Sequence, residues 1–416
     1  MISKLKNVSF LLIYMSLVTT NSKAQELKAL SDSTKDQKIL VKTESDEKWY
    51  NSFSIRGYVQ ARYNGLLATN PDLGCEQCDR SWGGENPFFL RRIRIIFFGQ
   101  INPRIYFYIQ PDFASSASST GLHFAQIRDA YFDVSLDKKG EFRFRIGQSK
   151  VPYGFENMQS SQNRLALDRN DALNSSMSNE RDLGVFFYWA PQSRRKMFSE
   201  IVKSGLKGSG DYGVVGFGVY NGQTANRPEL NDNKHIVSRI SYPFKIKNQI
   251  IEPSIQAYTG IWEMASSQLS SGVKYNADRN YTDERIAGSF LLYPKPFGIQ
   301  AEYNIGRGPE YNKLTDSVEV MALRGGYITF SYLFKLKNQT FIPFVRYQYY
   351  DGGKKHEQDA RSYNVEELEI AIEWQPIKQF ELVLMYTMSS RRYEDHQLQE
   401  NYQRGNLLRV QAQINF

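Results

Sequence analysis

The residues of this sequence best suited to chemistry are arginines spaced two positions apart. The segment Phe142–Gly147 reads Phe-Arg-Phe-Arg-Ile-Gly, and Arg92 and Arg94 alternate with isoleucines in the same way. A guanidinium group stays charged and presents planar donors that match phosphate or carboxylate oxygens. A row of such groups along one face of a strand therefore predicts contact with anions.

Seven basic residues form the candidate anion site. Alternation places the arginines on a single face, and a lysine follows at the start of a long loop. A structural alternative stays open, because Asp112, Asp129 and Asp133 on neighbouring strands could pair with arginines and only brace the wall. The candidates are Arg56, Arg62, Arg92, Arg94, Arg143, Arg145 and Lys150.

The elements that would position these residues are β-strands with two different faces. Alternation of large apolar with polar residues recurs to the end of the chain, and the pattern divides into sixteen strands joined by short turns and longer loops in alternation. Lipid outside and water inside would account for both faces. The predicted fold is all-β, a transmembrane antiparallel β-barrel over residues 51–416.

Two connections and one strand depart from regular alternation. The segment Val151–Asp182 is long enough to fold into the barrel and narrow it, and an external lid is the alternative. Ile127 is out of phase within its strand, which predicts a β-bulge at Arg128. The stretch Pro191–Asp211 shows no clear pattern.

The ends and the composition limit the class of protein. Met1–Ala24 has the form of a secretory signal, and residues 25–50 form a polar periplasmic lead-in. A net charge of +8 dispersed along a secreted chain excludes the compact basic face of nucleic-acid binders. Cys75 and Cys78 are the only cysteines, and a small loop disulfide is favoured over a reduced or incidental pair. No motif predicts a metal site or a cofactor.

The sequence also resembles a known family. The block Arg145–Gly154, followed by Glu180-Arg181, resembles the phosphate-selective porin O and P family, and Ile127–Asp133 and Gly218–Gly222 are similar to other family segments. The resemblance implies a sixteen-stranded outer-membrane barrel, usually trimeric, with an arginine ladder and an inward-folded third loop that guides phosphate or polyphosphate.

We therefore expect a bacterial outer-membrane porin that passes small anions such as phosphate and is not an enzyme. Its expected partners are outer-membrane lipids, further copies in a homotrimer, and the barrel assembly machinery, which would bind the terminal Phe416. A non-selective porin and a closed barrel with a structural or surface-binding role are the alternatives. A barrel enzyme using His235 is the least favoured interpretation, since the four histidines lie far apart in sequence.

Overall fold

The computed structural model describes residues 52–68, 70, 72–75, 82, 88–115 and 123–416. The expected signal sequence, the polar lead-in and Cys78 lie outside these residues. The described chain forms one antiparallel sheet that closes on itself, because β1 pairs with both β2 and β18. No helix of this part of the chain is both long and apolar enough to cross a membrane.

The strands are β1 (Phe53–Ala68), β2 (Phe88–Asn102), β3 (Ile105–Ser115), β4 (Phe124–Ser135), β5 (Phe142–Lys150), β6 (Arg181–Trp189), β7 (Val215–Tyr220), β8 (His235–Ser241), β9 (Phe244–Ile246), β10 (Gln249–Glu263), β11 (Asn280–Leu292), β12 (Phe297–Asn312), β13 (Ser317–Tyr332), β14 (Phe334–Leu336), β15 (Gln339–Gly353), β16 (Ser362–Ile377), β17 (Phe380–Glu394) and β18 (Tyr402–Asn415). The helices are α1 (Phe155–Met158), α2 (Asp171–Ser176) and α3 (Gln192–Lys203), with 3-10 turns at Ser266–Gln268 and Gln358–Ala360.

Two pairs of these segments are single wall strands. Both β8 and β9 pair with β10, and both β13 and β14 pair with β15. Pro243 lies between β8 and β9, and it cannot donate a ladder hydrogen bond. The barrel therefore has sixteen wall strands, which confirms the count predicted from the sequence.

The two faces of the wall separate as the alternation predicts. On β1, Tyr58, Gln60 and Arg62 are buried on the lumenal side, whereas the outward Ile55 is 60% exposed. Outward aromatic rings cluster where the short turns lie, for example Phe334 beside Phe341 at 5.3 Å. An apolar outer face with aromatic residues at its border suits the hydrocarbon and headgroup layers of a bilayer.

One irregularity of the strand pairing was predicted from the sequence, and one helix was not. On β4 and β3, Gln110 pairs with Asp129 and Pro111 pairs with Ile127, so Arg128 is the extra residue of a β-bulge, as predicted. The unpatterned stretch Pro191–Asp211 contains α3, which the sequence analysis did not predict.

Helix α3 occupies part of the opening at the short-turn end of the barrel. Phe198 and Ile201 form its buried face, and Ile201 packs with Leu291 of the wall. Beyond the helix, the Lys207 ammonium lies 2.5 Å from the Glu373 carboxylate on β16. This connection therefore folds inward rather than turning tightly as its neighbours do.

At the opposite end, a histidine links the connection between β17 and β18 to the short turn between β12 and β13. The His396 ring nitrogen Nδ1 lies 2.8 Å from the Asp316 carboxylate, which also accepts a hydrogen bond from Tyr311. The hydrogen bond to Asp316 raises the pKa of His396, and the same bond lowers the pKa of Asp316.

We predict that placing a charge in the middle of the outer face destabilises the barrel far more than placing it at the border. Ile146→Arg in mid-β5 should lower the free energy of unfolding by about 2–4 kcal/mol, and Phe142→Arg at the strand end by about 0–1 kcal/mol. Urea unfolding in lipid vesicles measures both. Equal effects would contradict the assignment of the outer face.

We also predict a pH-dependent loop at residues 395–401. Because the pKa of His396 is raised, the link to Asp316 is complete below the ordinary histidine pKa and is lost as the pH rises through the raised value. The protection factors of residues 395–401, which correct the exchange rates for the intrinsic pH dependence of amide exchange, should fall at alkaline pH, and His396→Gln should remove this fall. A His396 NMR titration at or below the ordinary value would contradict the assignment.

Candidate functional site

The long segment after β5 lies inside the barrel. Val151, Tyr153 and Phe155 are fully buried, and Tyr153 packs edge-on against Tyr258 of the facing wall at 4.8 Å between ring centroids. Helices α1 and α2 belong to this segment. The prediction of an inward-folded loop is confirmed, and the external lid is wrong.

Ion pairs with the wall fix this inserted loop along its length. Asp168 pairs with Arg62 at 3.3 Å and also with Arg409. Glu156 pairs with Arg346 at 3.0 Å. Such buried pairs leave no charge uncompensated, and breaking one is costly because its partner stays buried.

Further contacts hold α2 against the far wall. Asp171 accepts from Arg391 at 3.0 Å and from Lys354 at 2.5 Å. Arg285 on β11 donates to the Ala172 carbonyl at 3.1 Å. Helix α2 thus packs against the wall between β11 and β17.

The root of the loop gathers four basic side chains around one carboxylate. Glu180, in a left-handed backbone conformation with φ 65°, lies 2.6 Å from Arg181 and 3.0 Å from Arg169. Lys150 and Arg164 lie farther away, at 3.7 and 3.8 Å. Asp129 adds a second carboxylate at 3.0 Å from Arg181. Positive charge exceeds negative charge here.

The seven candidate residues all lie on the lumenal side, and most are held by carboxylates. Arg62 pairs with Asp168, Arg94 with Asp112 at 2.7 Å, Arg143 with Asp211 at 2.7 Å, Arg145 with Asp133 at 2.8 Å, and Lys150 with Glu180. These pairs match the bracing alternative.

Arg92 and Arg56 differ from the other five. Arg92 is buried and donates to the Gln60 side chain at 2.9 Å. Arg56 is exposed, and its guanidinium lies over the Phe98 ring, 5.1 Å from the centroid. Neither forms an ion pair with a carboxylate among the described residues.

A cavity of about 560 Å³ lies between the inserted loop, strands β3 to β5 and the α3 connection. Three carboxylates line it, and they belong to Asp129, Asp133 and Asp211. Eight cationic side chains also line it, and they are Arg56, Lys138, Lys139, Arg143, Arg145, Lys150, Arg181 and Arg195. The cavity wall is therefore net positive.

Sequence reasoning missed the arginines that anchor the loop. Arg346, Arg391 and Arg409 occupy lumenal positions of β15, β17 and β18, where the same period-two alternation marks them. The alternation gives their face, but their carboxylate partners lie on a loop distant in sequence. Arg181 begins β6 at the end of that loop, and the sequence marked it only through the family resemblance of Glu180-Arg181.

The remaining candidate sites carry little chemistry. Cys75 is in a disulfide bond, and because Cys78 lies outside the described residues the pair stays a prediction. No cluster of metal-ligating side chains occurs in the described ranges. His235 is buried between Tyr220 and Tyr258, and neither ring nitrogen has a hydrogen-bond partner in this part of the chain.

The comparison with protein families decides what kind of barrel this is. The model of the phosphate-selective porin O and P family matches residues 72–416. The chain belongs to this family. It is therefore a porin of the bacterial outer membrane. Barrels of this class place their short turns on the periplasmic side and their long loops outside. No curated protein matches the chain.

Solved porin structures share the fold. The anion-selective porin from Comamonas acidovorans is 10% identical, with 88% of this chain and 99% of that chain covered and a TM-score of 0.54. OmpF of Salmonella typhi in complex with daunomycin is 12% identical, with 88% and 97% covered and a TM-score of 0.52. OmpT of Vibrio cholerae in its trimer form is 8% identical, with 88% and 99% covered and a TM-score of 0.52.

We predict that Asp168 is the main anchor of the loop tip. Asp168→Asn leaves Arg62 and Arg409 without their shared carboxylate, so the free energy of unfolding should fall by about 3–5 kcal/mol, and the single-channel conductance should rise as the tip is released. Chemical unfolding and planar-bilayer recordings measure the two effects.

The matched control for this change is Asp351→Asn. The pair of Asp351 with Arg324 is partly exposed on the outer face, at 3.7 Å, so its loss should change the unfolding free energy by about 1 kcal/mol or less. An Asp168→Asn barrel with unchanged stability and conductance would show that other contacts fix the loop.

Proposed function

We propose that this porin is a passive channel with a preference for small anions, and that phosphate is its physiological solute. The observation that carries the proposal is the lining of the cavity, in which eight cationic side chains face three carboxylates. A confined basic surface between low-dielectric walls concentrates anions and speeds their entry. The excess of charge matters here, because paired arginines add little net field.

The exposed cations at the periplasmic end of the cavity are the charged residues most accessible to solute. Arg56 has no carboxylate partner in the described chain, and Lys138 and Lys139 lie exposed in the turn between β4 and β5. The family description and the likeness of fold to the anion-selective porin from Comamonas acidovorans agree with this preference.

We further propose that the protein assembles as a homotrimer, since OmpT of Vibrio cholerae, which shares its fold, has a trimer form. Residues 1–24 act as the secretory signal and residues 25–50 as a periplasmic lead-in. Phe416 pairs with Gly57 at the periplasmic edge of the wall, with its backbone N–H 3.0 Å from the Gly57 carbonyl. Before this pairing forms and the barrel closes, Phe416 is available to the assembly machinery.

The alternatives differ in measurable ways. A non-selective porin would conduct with equal permeability for anions and cations. A closed barrel would keep its fold but show no conductance. The packing of the inserted loop against the wall between β11 and β17 would lower the conductance of the open channel without abolishing it.

We predict that the reversal potential of the purified protein, in a planar bilayer under a potassium chloride gradient, lies close to the equilibrium potential of chloride. Neutralising the exposed cations with Arg56→Gln, Lys138→Gln and Lys139→Gln together should move the permeability ratio towards one, and phosphate should block chloride current less well. A reversal potential close to the equilibrium potential of potassium would overturn the proposal.

The control is a second triple variant, Lys245→Gln, Lys247→Gln and Lys335→Gln. These lysines lie on periplasmic hairpins and carry the same charge, but they do not line the cavity. Selectivity should stay near that of the unaltered protein. An equal loss in both variants would mean that the total charge of the periplasmic rim, and not the cavity, sets the preference.

A further inference from the structure

Aromatic rings form a continuous file along the lumenal wall beside the basic cavity. Phe98 lies 6.5 Å from both Tyr106 and Tyr108, and Tyr108 stacks on Tyr131 at 5.1 Å with an interplanar angle of 13°. The three tyrosines line the cavity. They belong to the face that alternation assigns to water, so these rings do not serve the lipid boundary.

The two ends of this file are occupied by different kinds of arginine. At the inner end, Arg145 lies over Tyr131 at 3.9 Å and also binds Asp133 through two hydrogen bonds of 2.8 and 2.9 Å. The Asp133 carboxylate therefore compensates the charge of Arg145, and the Arg145 guanidinium covers the Tyr131 ring. At the periplasmic end, Arg56 lies over Phe98 without a carboxylate partner in the described chain.

Bracing of arginine explains Tyr131 but leaves Tyr106 unexplained. The Tyr106 hydroxyl has no hydrogen-bond partner among the described residues, and its ring is only partly buried beside the cavity. Tyr108 orients its hydroxyl towards Gln110 at 2.8 Å, which holds its ring in place. Partly exposed rings next to the Arg56 guanidinium offer a solute both a flat ring surface and a positive charge.

Inorganic anions would use only one of these contacts. A bare phosphate ion needs charge and hydrogen-bond donors, whereas a flat ring surface contributes when the ligand itself has an apolar face. The C–H face of a sugar ring is such a surface, and its hydroxyls can accept from or donate to the Tyr106 hydroxyl. The cavity volume of about 560 Å³ lies in the range of small-ligand sites.

We propose that Arg56, Tyr106 and Tyr108 form a binding subsite for anions that carry a sugar ring, with sugar phosphates as the class of solute. The inference rests on the proposed anion preference and makes it more specific. Arg56 binds the phosphate group, and the ring of the solute lies against Tyr106 and Tyr108 during passage.

The test compares three probes as blockers of chloride current through single channels in a planar bilayer. Glucose 6-phosphate carries both charge and ring, inorganic phosphate carries charge alone, and glucose carries the ring alone. Glucose 6-phosphate should block at a concentration about tenfold lower than either of the others, because each contact adds to the affinity.

Variants separate the two contacts. Tyr106→Ala combined with Tyr108→Ala should weaken block by glucose 6-phosphate roughly fivefold or more while leaving block by inorganic phosphate unchanged. Arg56→Gln should weaken block by both anions. The control Tyr347→Ala removes an outward-facing tyrosine that is 45% exposed. It should change neither the block by glucose 6-phosphate nor the block by inorganic phosphate.

The outcomes distinguish the two proposals. Cation selectivity of the unaltered channel would overturn the proposed function and this inference together. An anion-selective channel in which glucose 6-phosphate and inorganic phosphate block equally would overturn the inference alone. Equal weakening of both anions in the tyrosine variant, with unchanged heat-modifiable migration of the folded barrel, would show that the rings only position Arg56 and would also overturn it.

Discussion

The constraint on which this structure depends is that no water is available to backbone polar groups in the hydrocarbon layer. Each N–H and C=O must find its partner within the protein, and a sheet satisfies this condition only if it has no free edge. The pairing of β1 with β18, completed by the bonds between Gly57 and Phe416, removes that edge. Closure then creates the lumen, and every second side chain must face it.

Closure also brings many charged residues into a narrow space. Arginines on the lumenal face are stable only where carboxylates or polar groups compensate them. The barrel meets this requirement in two ways. Cross-strand pairs such as Arg145 with Asp133 brace the wall, and pairs such as Arg346 with Glu156 hold the inserted loop against it. The same electrostatic requirement therefore sets both the shape of the lumen and the position of its filling.

The proposed anion preference comes from what this compensation leaves over. Most lumenal arginines are neutralised, so a count of arginines overstates the field that a solute meets. Cations that are exposed or only weakly compensated within the described chain, above all Arg56, Lys138 and Lys139, concentrate on the side of the lumen that the loop leaves open. Balanced pairs such as Arg145 with Asp133 occur at the cavity as well, and the excess of positive charge lies there in addition to them.

The sequence alone determined the strands and the two faces, because period-two alternation depends only on neighbouring residues and on the two solvents that the wall separates. It left the path of residues 151–182 open between an inward loop and an external lid. It placed Arg56 and Arg143 on the correct side, and it located the bulge at Arg128. It did not reveal α3, since that helix lies in a connection without strand alternation. Nor did it separate the braced arginines from Arg56, which has no carboxylate partner among the described residues.

Only the tertiary structure decided which charges meet. Asp168 lies 106 residues from Arg62 and 241 residues from Arg409 along the chain, and no local pattern encodes such a contact. Those partners are set by barrel closure and by the path of the loop across the lumen. For this reason the sequence could assign a side chain to the water-facing surface, whereas its availability to a solute was fixed by the fold.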